Sequence, residues 1–342
     1  MMSPRLGVLI ATYLEPHLVD RIAAVDPRVD IRYEPDLLPV PRYACDHTGT
    51  PRVLDDTQQQ RWERALREAD VSFDFDWQAP AELPTRAPNL RWVQATSAGI
   101  GGFVQRTGLD QTDWTFTTAA GIHAVPLAEF AVLGALHFIK GVPHLRGQQT
   151  RHRWERYTTS QLAGRTVTVV GLGGIGRRVV DSFRALGTDV IAVGRPGRSY
   201  DLDAEIRSTD DLDEILPRTD VLVLCTPLTA DTDNLLDAAR IGLLKPGAVL
   251  VNIGRGQLVD EPALIEALTA GRLAGAALDV FATEPLPAVS ALWDLDNVLV
   301  SPHSASTVDT ENAAITDLFC DNLRRYLDGR ELRNVYQRDL GY

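Results

Sequence analysis

The segment "TVTVVGLGGIGRRVVDSFRALG", residues 166–187, limits what this chain can fold into more than any other. A strand-length apolar run enters a glycine cluster, and apolar residues at helical spacing then run to Gly187. Gly171, Gly173 and Gly176 fit G-x-G-x-x-G, with Gly174 and Ile175 completing the loop. Such a loop gives a tight turn, lets the backbone approach a pyrophosphate closely, and points free N–H groups of a helix start at the anion. A glycine turn needed only for helix–strand packing is the plainer alternative. Strand, loop and helix in this order favour a bound dinucleotide.

Beyond this segment, strand and helix patterns alternate. "DVIAVG", "DVLVLC", "GAVLVNI", "AGAALDV" and "NVLVS" read as apolar strands, and "DEPALIEALTAGR" reads as a helix with Asp260 as N-cap and Pro262 in its first turn. Continuously apolar strands separated by helices imply a parallel sheet covered on both faces. The first 120 residues carry a second set of strands, "RLGVLIA", "VDIRYE", "ADVSFDF" and "LRWVQAT", with "DDTQQQRWERALREA" as a helix. "PLAEFAVLGALHFIKGV" is apolar nearly all round, which predicts a helix buried on most sides and serving as a spine between two units. "VDTENAAITDLFCDNLRRYLDG" reads as an amphipathic helix stopped by Gly329 that returns to the N-terminal unit.

At 342 residues the chain exceeds one comfortable core. The expected architecture is α/β, with two Rossmann-like or flavodoxin-like doubly wound domains and a cleft between them. Residues 121–303 form the dinucleotide-binding Rossmann domain, and residues 1–120 with 304–342 form a discontinuous substrate-binding domain.

Composition narrows the function classes. "LGVLIA" is too short for a signal peptide's apolar region or a membrane span, and Cys45, Cys225 and Cys320 have no paired spacing. A cytoplasmic location without a metal motif is expected. The net charge of −12 argues against nucleic-acid binding, and the basic stretch 137–156 reads as a solvated helix face or a subunit contact.

After the second strand of the Rossmann pattern an acidic residue would bind the adenosine ribose of NAD. The chain instead carries Gly194, Arg195, Pro196, Gly197 and Arg198. Without the carboxylate, and with Arg195 and Arg198 beside it, NADP(H) is expected as the preferred cofactor and NAD(H) as the second choice.

Arg255, Glu284 and His303 each follow a strand of the same sheet. Right-handed crossovers put all carboxyl strand ends on one edge, so the three are expected to meet at the nicotinamide end. Each alone has a plain structural explanation. Together they suit a ketone–alcohol interconversion: histidine supplies the proton, a carboxylate raises its pKa, and arginine pairs with a substrate carboxylate. That set implies a 2-oxo acid.

"VVGLGGIG", "CTPLT", "VNIGRGQLVDEPALIEAL", "ALDVFATEPLP" and "SPHSAST" resemble, in order and separation, the D-isomer-specific 2-hydroxyacid dehydrogenase family. The resemblance covers nearly the whole chain. It implies that Arg255 binds and activates substrate, Glu284 tunes His303, and His303 is the acid/base. It also implies that Thr226, Pro227, Ile253, Asp279 and Ser304 line the cofactor site, that N–H groups of Ser97, Ala98 and Gly99 hold the substrate carboxylate, and that the chain forms a homodimer. Two departures stand out. The ribose-binding aspartate is absent, and Ile100, Gly101 and Gly102 stand where many members carry an aspartate. Ser304 in place of a glutamine speaks against the formate dehydrogenase branch.

The expected function is hydride transfer between NAD(P)H, NADPH for preference, and a small 2-oxo acid such as glyoxylate or hydroxypyruvate, giving a D-2-hydroxy acid. The alternatives are the same chemistry on larger aromatic or branched 2-oxo acids, or a non-catalytic dinucleotide-sensing protein akin to the family's corepressors.

Overall fold

A computed structural model describes residues 5–339. The chain divides into two compact units, one of residues up to His123 together with those from Thr307 onward, the other Ala124–Ser306.

The first unit is built on five parallel strands, β1 (Leu6–Ile10), β2 (Val29–Arg32), β3 (Val71–Phe73), β4 (Trp92–Gln94) and β5 (Thr115–Thr117), in the order β2-β1-β3-β4-β5. This is the flavodoxin-like doubly wound order. Successive side chains of a strand point to opposite faces. Leu9 and Ala11 accordingly join one core with Trp62, Leu66 and Phe75, while Val8 and Ile10 join another with Phe73, Trp92 and Phe319. Helix Asp56–Arg67 covers the first face, its start fixed by reciprocal bonds: Gln58 N–H donates to Asp55 Oδ1 at 2.8 Å, and Asp55 N–H to Gln58 Oε1 at 3.1 Å. Helix Glu311–Leu327 covers the second. Its Phe319 ring sits 5.2 Å from both Phe73 and Trp92, centroid to centroid.

The second unit holds seven parallel strands: β6 (Thr166–Val170), β7 (Asp189–Gly194), β8 (Glu205–Ser208), β9 (Val221–Leu224), β10 (Val249–Asn252), β11 (Gly275–Leu278) and β12 (Val298–Val300). Their order is β12-β11-β10-β9-β6-β7-β8, so the sheet reverses its growth between β6 and β9. Both faces are buried. Val221 and Val223 pack on one side and Leu222 and Leu224 on the other, which is why these strands read as unbroken apolar runs.

Three elements differ from their sequence signals. β5 and β8 are short and partly polar, so they carry too little apolar periodicity to be read. The apolar segment from residue 126 is two helices, Ala124–Ile139 and Val142–Thr150, broken at Gly141, whose φ of 66° lies in the left-handed region. The first of these is buried or half-buried over most of its surface, as its apolar pattern leads one to expect, with Val125, Glu129 and Leu133 forming one exposed stripe. Ala128, Ala131 and Ala135 are buried, while Val125 and Leu133 remain 43% and 54% exposed. Small residues let the helix backbone lie close to the sheet, and a Cβ on Gly134 would stand 2.5 Å from that of Ala277. Leu127 is buried with the alanines, and Phe130, Val132, Leu136, Phe138 and Ile139 pack half-buried against the same core. Among the described residues, no single helix is long and apolar enough to cross a membrane.

Because Phe319 is fully buried between two aromatic rings, Phe319→Ala is expected to destabilise the first unit by about 3–5 kcal/mol. A lowered denaturant midpoint in equilibrium unfolding would read this out.

Candidate functional site

Since all strands of the second unit run the same way, their carboxyl ends share one edge. The glycine loop follows β6 and Thr226 follows β9, on either side of the position where strand order reverses. A doubly wound sheet binds its ligand at such a position.

Three glycines of the loop have separate jobs. Gly171 has φ of 104°, and a Cβ there would stand 2.8 Å from Thr226 N. A Cβ on Gly176 would run into the Gly171 carbonyl, so helix Gly174–Ala185 can lie close only with glycine there. Gly173 is different: a Cβ would meet nothing within 4 Å. Among the described residues no contact demands glycine at 173, whereas a pyrophosphate laid against the backbone would. Gly174 and Ile175 form the helix's first turn, with Gly173 and Gly174 exposed. Thr226 is buried with its Oγ1 lacking a partner among the described residues, and Ile253 beyond β10 is buried. Pro227 is exposed. An open backbone cradle beside an unpartnered hydroxyl fits a nucleotide's phosphates and sugar.

Arg255 is held by its neighbours. Asn252 Nδ2 donates to its carbonyl at 2.9 Å and Asn252 Oδ1 accepts from Gly254 N–H at 3.0 Å. A Cβ on Gly254 would stand 2.7 Å from Thr226 O, and one on Gly256 would run into Phe281. These packings explain why glycines flank the arginine. Among the described residues its only side-chain bond runs from Nη1 to the Gly254 carbonyl at 2.7 Å, so its other guanidinium N–H groups have no partner there. Burial lowers the Arg255 pKa, and the charge of nearby Glu284 opposes that shift.

Glu284 and His303 meet directly. Glu284 Oε1 accepts from Phe281 N–H at 3.0 Å, while Oε2 lies 2.8 Å from His303 Nδ1, leaving Nε2 of the ring for another partner. His303 has φ of 53°, an uncommon backbone state for a non-glycine residue. Asp279 holds it there. The Asp279 carbonyl accepts from His303 N–H at 2.9 Å, and its Oδ1 accepts from Ser301 Oγ at 2.6 Å and from the N–H groups of Ser304 and Ala305 at 2.9 Å each. Asp279, expected to line the cofactor site, thus anchors the loop that carries His303, and Ser304 belongs to that loop. Sequence spacing gave no sign of this role.

The hydrogen bond to Glu284 raises the His303 pKa against the opposing effect of burial. Burial alone would raise the Glu284 carboxyl, but the bonds from His303 and Phe281 bring it below its ordinary value. The pair is therefore imidazolium–carboxylate over a widened pH range.

Arg195 and Arg198 lie exposed just past β7. Gly194 ends that strand, and a side chain there would run into the ring of Tyr200, a residue that sequence spacing did not single out. Ser97, Ala98 and Gly99 belong to the first unit, just beyond β4, and their N–H groups have no acceptor among the described residues.

Residues 132–305 match the family model for the D-isomer specific 2-hydroxyacid dehydrogenase NAD binding domain. A glyoxylate reductase from Aeropyrum pernix is 32% identical over 84% of this chain and 90% of its own. D-3-phosphoglycerate dehydrogenase from Mycobacterium bovis is 36% identical over 73% of this chain, which spans about half, 47%, of that protein. Among solved structures, a D-isomer specific 2-hydroxyacid dehydrogenase from Xanthobacter autotrophicus in complex with NADPH and MES superposes with a TM-score of 0.79 at 29% identity, covering 99% of this chain and 100% of the other. An NADPH-dependent glyoxylate/hydroxypyruvate reductase from Sinorhizobium meliloti, in complex with NADP and sulfate, gives 0.78 at 26% identity over 99% and 100%.

The geometry sets an expectation for titration. Glu284→Gln removes the charge that holds the imidazolium, so the His303 titration followed by imidazole NMR should move to lower pH. The pair's contribution to stability should be lost as pH rises through the raised His303 pKa, and also as pH falls through the lowered Glu284 pKa.

Proposed function

We infer the reaction from one premise: the chain belongs to the D-isomer-specific 2-hydroxyacid dehydrogenase family. It is an enzyme that uses a nicotinamide dinucleotide and acts on 2-oxo or 2-hydroxy acids. Our reading is that it reduces a small 2-oxo acid of the glyoxylate or hydroxypyruvate kind to the D-2-hydroxy acid, with NADPH as the preferred reductant. The carrying observation is the 2.8 Å contact between Glu284 Oε2 and His303 Nδ1, with the half-buried Arg255 guanidinium near enough for its charge to act on both.

When bound, the nicotinamide supplies the hydride that arrives at the keto carbon. Arg255 pairs with the substrate carboxylate and draws electron density from the neighbouring carbonyl. His303 gives its Nε2 proton to the carbonyl oxygen as charge develops there, and Glu284 stabilises the imidazolium before transfer and keeps the ring oriented through Nδ1. In the reverse direction the neutral imidazole takes the hydroxyl proton. Gly171, Gly173, Gly174, Ile175 and Gly176 would hold the pyrophosphate, with Thr226, Pro227 and Ile253 beside it. The family resemblance assigns the N–H groups of Ser97, Ala98 and Gly99 to the substrate carboxylate.

The NADPH preference rests on Gly194, which offers no ribose-binding carboxylate, and on Arg195 and Arg198 next to it. The complexes of the Xanthobacter and Sinorhizobium proteins agree with it. We also read the chain as a cytoplasmic homodimer. Leu133, Leu145 and Trp154 are 54%, 46% and 98% exposed on or beside the helices that follow residue 124, an apolar set suited to a subunit contact.

Oxidation of NADPH and of NADH, each followed by absorbance with a panel of 2-oxo acids, tests the reading. Wild type should turn over small 2-oxo acids with the lower Michaelis constant for NADPH. His303→Ala should lower kcat by about 10²–10⁴-fold with dinucleotide affinity unchanged. Arg255→Ala should lower kcat/KM by about 10²-fold while also raising KM for the 2-oxo acid. Turnover by His303→Ala close to wild type would reject the assignment.

A further inference from the structure

The end of β7 is occupied by a ring where another chain would place a side chain. Gly194 is buried, and the Tyr200 ring fills the volume that a Cβ at 194 would need. The ring is fixed on several sides. Its hydroxyl accepts a hydrogen bond from Arg195 N–H at 3.0 Å, and its body packs against the apolar cluster of the second unit that includes Val169, Val190 and Ala192. A carboxylate at 194 is therefore excluded by volume as long as Tyr200 keeps this position.

The same ring gathers positive charge. The Arg198 guanidinium lies 5.6 Å from the ring centroid, and that of Arg177, from the first turn of helix Gly174–Ala185, lies 6.0 Å from it. Both distances are in the range where the negative face of an aromatic ring attracts a cation. Arg177 Nη1 also donates to the Asp201 carbonyl at 3.1 Å, tying the helix that begins at the glycine loop to the loop after β7. Two like charges in solvent would otherwise separate. Asp203, two residues on from Asp201, is itself paired with Arg184.

We propose that Tyr200 decides which dinucleotide the site accepts: its ring keeps a ribose-binding carboxylate out of position 194 and assembles Arg177 and Arg198 into a pair that receives the 2′-phosphate of NADP(H). The inference rests on the dinucleotide reading given above and adds two residues to it. Tyr200 is a positioning residue, acting through the arginines and through the space it fills. Arg177 is the phosphate-contacting residue that the helix contributes.

Calorimetric titration of the purified protein with NADPH and with NADH, without substrate, tests it. Tyr200→Ala should weaken NADPH binding by about tenfold, the combined worth of two exposed cation–ring contacts, and change NADH binding by less than about twofold. Tyr200→Phe keeps the ring and should retain NADPH affinity to within about threefold, which a general loss of folding would not allow. Gly194→Ala reaches the same end by another route, since the new methyl group displaces the ring. It should lose the same discrimination, and combining it with Tyr200→Ala should add nothing further. If Tyr200→Ala keeps the wild-type ratio of NADPH to NADH affinity while Arg195→Ala with Arg198→Ala lowers it, the phosphate reading stands and the role given to Tyr200 is wrong. A wild-type protein that binds both dinucleotides equally well overturns both.

Discussion

The contact between Glu284 and His303 depends on every strand of the seven-stranded sheet running in one direction. Parallel pairing brings the segments after β10, β11 and β12 to one edge, although Arg255 and His303 are far apart along the chain. Each of these segments is then fixed by its own local bonds: Asn252 around Arg255, Phe281 N–H against Glu284, and Asp279 beneath His303. A charged pair that is only half-buried contributes little to stability. In the reaction proposed above its value would be chemical, keeping a proton on an imidazole whose Nδ1 is taken by Glu284.

Glycine works throughout the second unit by what it leaves out. At 171 and 176 the missing side chain lets helix, loop and strand close on one another, and at 254 and 256 it lets the arginine's loop lie against its neighbours. At 173 nothing among the described residues needs the space. That contrast is the strongest local argument that the cradle was shaped for a ligand, and it agrees with membership of a dinucleotide-dependent family.

Much of this could be read from the chain. The apolar runs of β6, β7, β9, β10 and β11 are buried on both faces, so their periodicity is unambiguous, and the strand that each functional residue follows could be named. What could not be read has physical reasons. β5 and β8 are too short and polar to leave a pattern. The helix beginning at Ala124 is apolar nearly all round, so its pattern does not show that Val125, Glu129 and Leu133 form the exposed stripe or that Gly134 is where the backbone lies close to the sheet. The anchoring of His303 by Asp279 is a bond across a loop, and the filling of position 194 by Tyr200 is a matter of shape. Neither leaves a periodic trace.

The central claim is that His303 enters the reduction as an imidazolium kept protonated by Glu284. The most direct test is the pH dependence of kcat/KM for reduction of a 2-oxo acid by the wild-type protein. The rate should be level on the acid side of neutrality and fall only as pH rises through a value above the ordinary histidine pKa of about 6.5. A rate that does not fall as pH rises past neutrality, or that already falls below about 6.5, would contradict it.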